Sequence, residues 1–318
     1  MPMSGPKPDL ARLGGRLKLR DLSILMAVVE CGTMGKAAKR LAVSQPVVSK
    51  AISDMEYALR VRLLDRSQRG VAPTPYGRVL VKRGLAIFDE MRQGLNDIEF
   101  LSDPTAGEVA IGITASAAAA IAAPVIDRLS RQHPRMRFHV TVADSAPLFG
   151  ALESRNVELA ISRPPRRRSD DHHIEVLFHD TLAVIAGTKN PLARRRGLDL
   201  ADLMDEPWVL FPRDSYFGAL QEEIFRACGL EPPRPTVEIA SSHLRTELLA
   251  TQRFLSIVPG FSILLPRRRT DVKALAVNLP VAPEPVAIIT LKNRSLSPAA
   301  TMFIEHVRAL TKPLAKRG

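Results

Sequence analysis

The sequence predicts an α/β chain with an N-terminal all-α winged helix-turn-helix and a C-terminal body of two α/β subdomains. Three observations carry that expectation. Short apolar-periodic segments with brief joints fill residues 19–59, strands and helices alternate from residue 108 onward, and positive charge gathers at the N-terminal end. Residues 1–85 hold 16 Lys and Arg against 6 Asp and Glu, while the rest of the chain holds 29 against 27. A basic excess so localised fits a polyanion-binding module fused to a near-neutral body. A membrane-surface binder would need a basic amphipathic helix instead. At 318 residues and 46% hydrophobic, the chain is too long for one small core and too apolar to be disordered.

Residues 1–16, with three Pro, three Gly and no apolar period, read as a flexible tail. Leu19, Leu22, Met26 and Val29 then recur at helical spacing until Gly32. Thr33 caps a second helix, Met34 to Leu41, whose Ala37 and Ala38 allow close packing. Ser44 caps a third, with Pro46 in its first turn, where a missing N–H costs nothing. On that third helix Val48, Ile52, Met55 and Leu59 form one apolar stripe, so Gln45, Ser49 and Ser53 share another face. Short hydrogen-bonding side chains of this kind can read base edges in a major groove, with Lys50 beside them for phosphate; the same spacing also serves a solvated helix face.

Leu63 to Arg66 and Gly70 to Pro73 flank the polar tip Ser67-Gln68-Arg69, the pattern of a β-hairpin wing, with Arg69 placed to enter a minor groove. Thr74 caps and Pro75 opens a linker helix over 75–102 that carries Val79, Leu80, Leu85, Ile87, Phe88, Met91, Leu95, Ile98 and Leu101. So much apolar surface on an extended helix needs a partner, and a second copy would bury it.

Leu17 to Thr74 resembles the DNA-binding domain of the LysR-type transcriptional regulators. The match rests on Leu19-Arg20-Asp21-Leu22, Gly32-Thr33-Met34-Gly35-Lys36-Ala37-Ala38, Leu41-Ala42-Val43-Ser44-Gln45-Pro46-Val47-Val48-Ser49, Ile52, Glu56, Leu63, Arg66 and Thr74-Pro75-Tyr76-Gly77. Arg60 departs from it, standing where the family usually has Gly. The resemblance implies a sequence-specific DNA-binding regulator of transcription, commonly an activator. Its partners would be double-stranded DNA, a small-molecule inducer, a second copy or a tetramer of this chain, and RNA polymerase. On that reading Thr33, Met34, Ser44, Gln45, Pro46, Ser49, Lys50, Ser53, Arg66 and Arg69 form the DNA-binding surface.

Residues 103–107 read as a hinge, and 108–318 as the effector body. Strands are expected at 108–113, 136–142 and 159–162 with helices between them, then a second set over 182–259, a return strand at 286–291 and a final helix at 298–310. The resemblance extends here as pattern, to an effector domain of two subdomains resembling periplasmic binding proteins, with lobe crossings near 163–180 and 266–285. A ligand would lie between the lobes, at strand ends. Thr114 and Ser116 follow the first strand, where hydroxyls and free helix N–H groups can hold an anion or simply cap. Arg163 follows the third and either pairs with a carboxylate or belongs to the solvated run Arg166-Arg167-Arg168. Phe211, Asp214, Ser215, Ser241 and Ser242 complete the candidates, and together they suggest a small organic anion as inducer.

Several signals point to bland roles. Asp170-Asp171-His172-His173 has metal-ligand residue types, but adjacent ligands in a charged loop seldom converge on one ion, so neither a metal nor a cofactor is expected. Arg194-Arg195-Arg196 and Arg267-Arg268-Arg269 read as solvated loops. Cys31 and Cys228 are too far apart for a disulfide framework and read as buried thiols in a cytoplasmic protein. Ile113 to Ile126 is too short and too broken to span a membrane. No phosphate loop, nucleophile elbow or zinc-protease motif appears, so the chain is not expected to be an enzyme. The alternative is a solute-binding or enzymatic α/β body with a DNA-tethering arm.

Overall fold

The computed structural model describes residues 17–67, 70–165, 169–264 and 271–316. The chain divides at Arg92 and Gln93 into two compact units. The first begins with helices α1 (Leu19–Cys31), α2 (Met34–Arg40) and α3 (Gln45–Leu59), packed through Leu25, Val28, Ala37, Val48, Ile52 and Met55. Gly32 ends α1 in the left-handed region at φ 71. Thr33 caps α2, its hydroxyl accepting from Lys36 N at 3.2 Å. Ser44 occupies the N-cap position of α3 without using its side chain; Val47 and Val48 N–H donate instead to its carbonyl.

Strands β1 (Leu64–Ser67) and β2 (Gly70–Pro73) pair antiparallel as the wing. Two contacts fix it. The Glu56 carboxylate accepts from Leu63 N at 2.7 Å and Leu64 N at 3.2 Å, tying α3 to β1. Val71 N donates to Gly32 O at 2.8 Å, and a Cβ at Gly70 would stand 2.8 Å from that same oxygen, so this position needs glycine. Helix α4 (Pro75–Ser102) follows, capped by Thr74, whose Oγ1 accepts from Gly77 N and donates to Arg62 O. A Cβ at Gly77 would meet Leu63 O at 2.1 Å, which accounts for glycine in the Thr74-Pro75-Tyr76-Gly77 segment.

In the second unit, a turn in which Asp103 accepts from Thr105 N leads into β3 (Ala106–Ile113). Helix α5 is continuous from Ala115 to Gln132 in three registers: an α turn Ala115–Ala117, a π turn Ala118–Ala122, and an α segment Ala123–Gln132. Then come β4 (Arg135–Val142), α6 (Ser145–Glu153), β5 (Leu159–Ser162), β6 (His172–Asp180) and β7 (Leu182–Gly187). The first lobe's sheet has order β4-β3-β5-β12-β6, where β12 is Glu284–Leu291; β3 pairs parallel with β4 and β5, and β12 antiparallel with β5 and β6. Alternation sends Leu159 and Ile161 to one face with α5 and the last helix α10 (Pro298–Ala315), and Ala160 to the other with Leu148 and Leu152 of α6.

The second lobe holds β8 (Val209–Leu210), α7 (Tyr216–Ala227), β9 (Val237–Glu238), α8 (Ser242–Ala250), β10 (Leu255–Pro259), α9 (Phe261–Leu264) and β11 (Val272–Ala274). Its three-stranded sheet, β10-β7-β11, is antiparallel, and β8 joins its edge through a Trp208 to Leu255 bridge. Trp208 packs edge-on to Phe225 at 5.6 Å, with its indole N–H on Leu203 O at 2.9 Å.

Three readings are corrected: the loop at 172–180, the place of the first crossing, and the burial of the thiols. Residues 172–180, expected in a loop at a lobe crossing, are an antiparallel strand of the first sheet. Their charged composition hides the period of two, and the bulge opposite Val286 and Ala287 breaks it. The chain therefore steps between lobes at Thr181 and again between β11 and β12. Cys228 is exposed and Cys31 half-buried, so neither is a fully buried thiol. Among the described residues no helix is long and apolar enough to cross a membrane.

Candidate functional site

In the first unit, the apolar stripe of α3 fixes which side faces outward. Val48 and Ile52 are fully buried and Met55 nearly so. Gln45, Lys50 and Ser53 are exposed, and Ser49 half-buried. Gln45 stands beside the start of α2, its Oε1 3.6 Å from where a Cβ on Gly35 would be, an ordinary contact distance. Ser44, Pro46 and Arg66 are also exposed, and Thr33 is partly so. Met34 is different: at 8% exposure it belongs to the core with Ala37 and Ala38, and its side chain is withdrawn from any DNA-facing surface. Arg69, at the wing tip, lies outside the described residues. Lys36, Lys39 and Arg62 are exposed cations of the same unit that pattern reading passed over, because charge on a solvated face carries no period.

Along α4, Ile87, Met91, Leu95, Ile98 and Leu101 are 43% to 81% exposed. The first four follow at spacings of four, four and three, which places them on one face. Near the end of this helix, in the second unit, Gln93 is buried and donates to Glu158 Oε2 at 3.4 Å, an oxygen that also accepts from Ser297 N at 3.1 Å.

In the second unit a small recess opens between the lobes at the C-terminal ends of β3, β4 and β5. Thr114, Ser116, Ser145, Ser162 and Arg163 line it from the first lobe, Tyr216 and Phe217 from the second, and Pro259 and Phe261 from the turn whose Gly260 N donates to Thr181 O. Thr114 takes the N-cap position of α5, but its hydroxyl does not turn back to the helix, and Ser116 lies inside the first turn instead of capping it. Ser162 Oγ donates to Arg163 O at 3.0 Å.

Arg163 is neither free nor solvated. It is 6% exposed, with Nε 2.8 Å from Glu284 Oε2 and Nη2 3.6 Å from Asp180 Oδ2, and its guanidinium lies 4.8 Å from the Phe217 ring centre. Glu284 also accepts from the Tyr216 hydroxyl, joining β12 to α7 across the lobes. Burial pushes the Asp180 carboxyl up to about 6, against the opposing pull of Phe261 N–H at 2.8 Å and of Arg163. Its burial prevails although an arginine stands nearby.

The other expected ligand residues lie elsewhere. Phe211 is a buried wall of the second lobe, stacked at 5.0 Å on Phe217 and covered by the Arg245 guanidinium at 3.6 Å from its ring centre. Burial lowers the Arg245 pKa to about 10, and its Nη2 donates to Ile239 O. Ser215 and Ser241 are helix caps: they accept from Gly218 N and Leu244 N, and Ser215 also donates to Pro212 O at 2.6 Å. Thr114, Ser116 and Arg163 thus come together, while Phe211, Ser215 and Ser241 do not line the recess. Sequence reading missed Ser145, Tyr216, Asp180 and Glu284; only the strand-end position of Ser145 was a usable signal. His172, from the expected charged loop, is buried beside Phe149, and among the described residues no three His, Cys, Asp or Glu side chains are grouped to hold a metal.

Comparison with known proteins covers both units. Residues 19–78 match the family described as "Bacterial regulatory helix-turn-helix protein, lysR family", and residues 102–312 match "LysR substrate binding domain". The chain is 29% identical over 308 residues to the HTH-type transcriptional regulator GbpR of Azospirillum brasilense, covering 96% of this chain and 90% of that protein. It is 27% identical to the transcriptional dual regulator GltC of Bacillus subtilis, covering 92% and 96%. Among solved structures, full-length CbnR complexed with its target DNA matches with a TM-score of 0.60 and 22% identity over 92% of this chain and 99% of that one. A full-length OxyR from Pseudomonas aeruginosa matches with a TM-score of 0.64 and 20% identity over 94% and 97%.

Proposed function

The chain belongs to the LysR family of helix-turn-helix transcriptional regulators, and on that premise we propose that α3 reads base edges while the inter-lobe recess takes the controlling small molecule. The observation that carries the DNA reading is the division of α3 into two faces. Val48, Ile52 and Met55 lock it into the module, which leaves Gln45, Ser49 and Ser53 on the outside with Lys50. Gln offers a bidentate pair of hydrogen bonds to adenine, serine hydroxyls bond to several bases, and Lys50 meets phosphate as a point charge. Thr33, Ser44, Pro46 and Arg66 border this face, and Arg69 is proposed as the wing-tip contact. That solved CbnR binds a target DNA supports carrying the same mode to this chain.

Two copies paired along the exposed face of α4 would present two such helices to a dyad-symmetric site, and pairs of dimers would span neighbouring sites. Ligand between the lobes acts by binding one subunit arrangement more tightly than another. We read the body as a sensor and not an enzyme, working in the cytoplasm on the chromosome; the support is that both matched families describe regulators.

The test of base readout needs no inducer. Gln45→Ala and Ser49→Ala should each weaken the native site by about 1–3 kcal/mol while leaving binding to random DNA almost unchanged. Lys50→Ala should weaken both and reduce the slope of log affinity against log salt by about 1. Equal losses on every sequence for Gln45→Ala and Ser49→Ala would remove the base-reading role.

A further inference from the structure

On the first lobe, Arg163 follows β5 and Glu284 begins the neighbouring strand β12, directly opposite Asp180 of β6. Two carboxylates facing each other across a strand pair repel. The buried Arg163 guanidinium relieves them, with Nε 2.8 Å from Glu284 and Nη2 3.6 Å from Asp180, and so keeps Glu284 at the lobe's edge.

On the second lobe, the first turn of α7 is held just as firmly. Ser215 caps it by accepting from Gly218 N at 3.1 Å, and a Cβ at Gly218 would stand 1.9 Å from Pro212 O, so the turn lies hard against the chain that precedes it. Phe217 stacks on Phe211 at 5.0 Å and Tyr216 meets the Phe217 ring edge-on at 5.5 Å. These two prepared surfaces meet across the recess. The Tyr216 hydroxyl donates to the Glu284 carboxylate, and the Arg163 guanidinium lies 4.8 Å from the Phe217 ring centre. A hydrogen bond to an ionised group and a cation against a ring are both strengthened where water is scarce. Between them the recess keeps room for about one water molecule.

We infer that Arg163 and Glu284, engaged by Tyr216 and Phe217, form a latch that holds the two lobes shut in the unliganded chain, an autoinhibitory contact that a ligand entering between the lobes must break. A ligand then meets only the open fraction of the protein, and its apparent affinity falls by that fraction. The latch follows from the contacts themselves; its effect on DNA rests on the reading of the body as a sensor.

Hydrogen exchange of the full chain, without added ligand, tests this. The informative peptides cover 114–118 and 215–219, one on each side of the recess, where Ala118 N, Gly218 N and Ala219 N are hydrogen-bonded. Tyr216→Phe removes only the hydroxyl, and Glu284→Gln removes the charge that accepts from it. Each variant, with its folding checked by a melting curve, should exchange about fivefold or more faster in both peptides than the parent chain. Arg308→Gln, which breaks the exposed Arg308 to Glu175 pair on the first lobe, is the control and should leave both peptides unchanged. Unaltered exchange in both latch variants, or an equal rise with Arg308→Gln, would overturn the latch. The same variants should shift occupancy of a DNA fragment selected by the parent chain. Faster exchange with unchanged occupancy supports the latch and refutes control of DNA through the lobes, so the two readings fail separately.

Discussion

At the residue scale, two side chains occupy positions that cost stability, for different reasons. Arg60 closes α3 in the left-handed region at φ 56 and ψ 29, where a Cβ is crowded by the backbone. Arg60→Gly should therefore stabilise the DNA-binding unit by about 1 kcal/mol, seen as a higher denaturant midpoint; an unchanged or lower midpoint would contradict the strain. Asp180 pays for burial. Its folded pKa of about 6 lies above the ordinary value of 3.8, so folding favours the protonated form. The resulting contribution is complete below about pH 4 and is lost as pH rises through 6. Asp180→Asn cannot ionise, so its melting temperature should gain on that of the parent chain between pH 4 and pH 7. A gap that narrows or reverses over that interval would show that Arg163 and Phe261 N–H compensate the carboxylate fully.

At the scale of elements, α4 presents Ile87, Met91, Leu95 and Ile98 to solvent over three turns, a surface a lone helix has no reason to keep. Pairing with a second copy predicts that Leu95→Glu, which buries a charge in that seam, shifts the chain to monomer in sedimentation analysis and lowers affinity for a dyad site more than for a half site. A chain that sediments unchanged would assign the stripe to another partner. The wing and linker also show how local chemistry makes sequence legible. Thr33, Gly32, Thr74 and Pro75 act on neighbours within a turn, so the helix limits of the first unit follow from caps and breakers. The corner Glu56 forms with Leu63 and Leu64 did not, because an acceptor seven residues away has no periodic signature. Strand β6 was hidden for the same kind of reason: His172, His173 and Glu175 look like loop residues until β12 pairs with them.

At the scale of the whole molecule, the two units differ in how much of their function the sequence carries. The residues proposed to face DNA lie on α3 and its N-cap, at the Thr33 cap of α2 and on the wing, so a spacing argument nearly isolates them, with Met34 the exception because its position in the motif serves packing. The recess draws on Thr114, Ser145, Arg163, Tyr216 and Phe261, scattered over 148 positions and assembled only by the crossing of two lobes. Strand-end reasoning found Thr114, Ser116 and Arg163, yet it could not foresee that Asp180 and Glu284 would already flank the arginine. That flanking engages the Arg163 guanidinium within the protein itself. The near-neutral body and basic N-terminal quarter assign the two tasks to different parts of the chain, and only the first part is expected to carry the salt dependence of DNA binding.

The most direct measurement of the regulator account is selection of genomic fragments by the purified full chain at physiological salt. The account predicts enrichment of a small set of fragments sharing a dyad-symmetric motif, lost when Gln45 and Ser49 are both replaced by alanine. Uniform recovery of all fragments by the unaltered chain, across added metabolites, would contradict it.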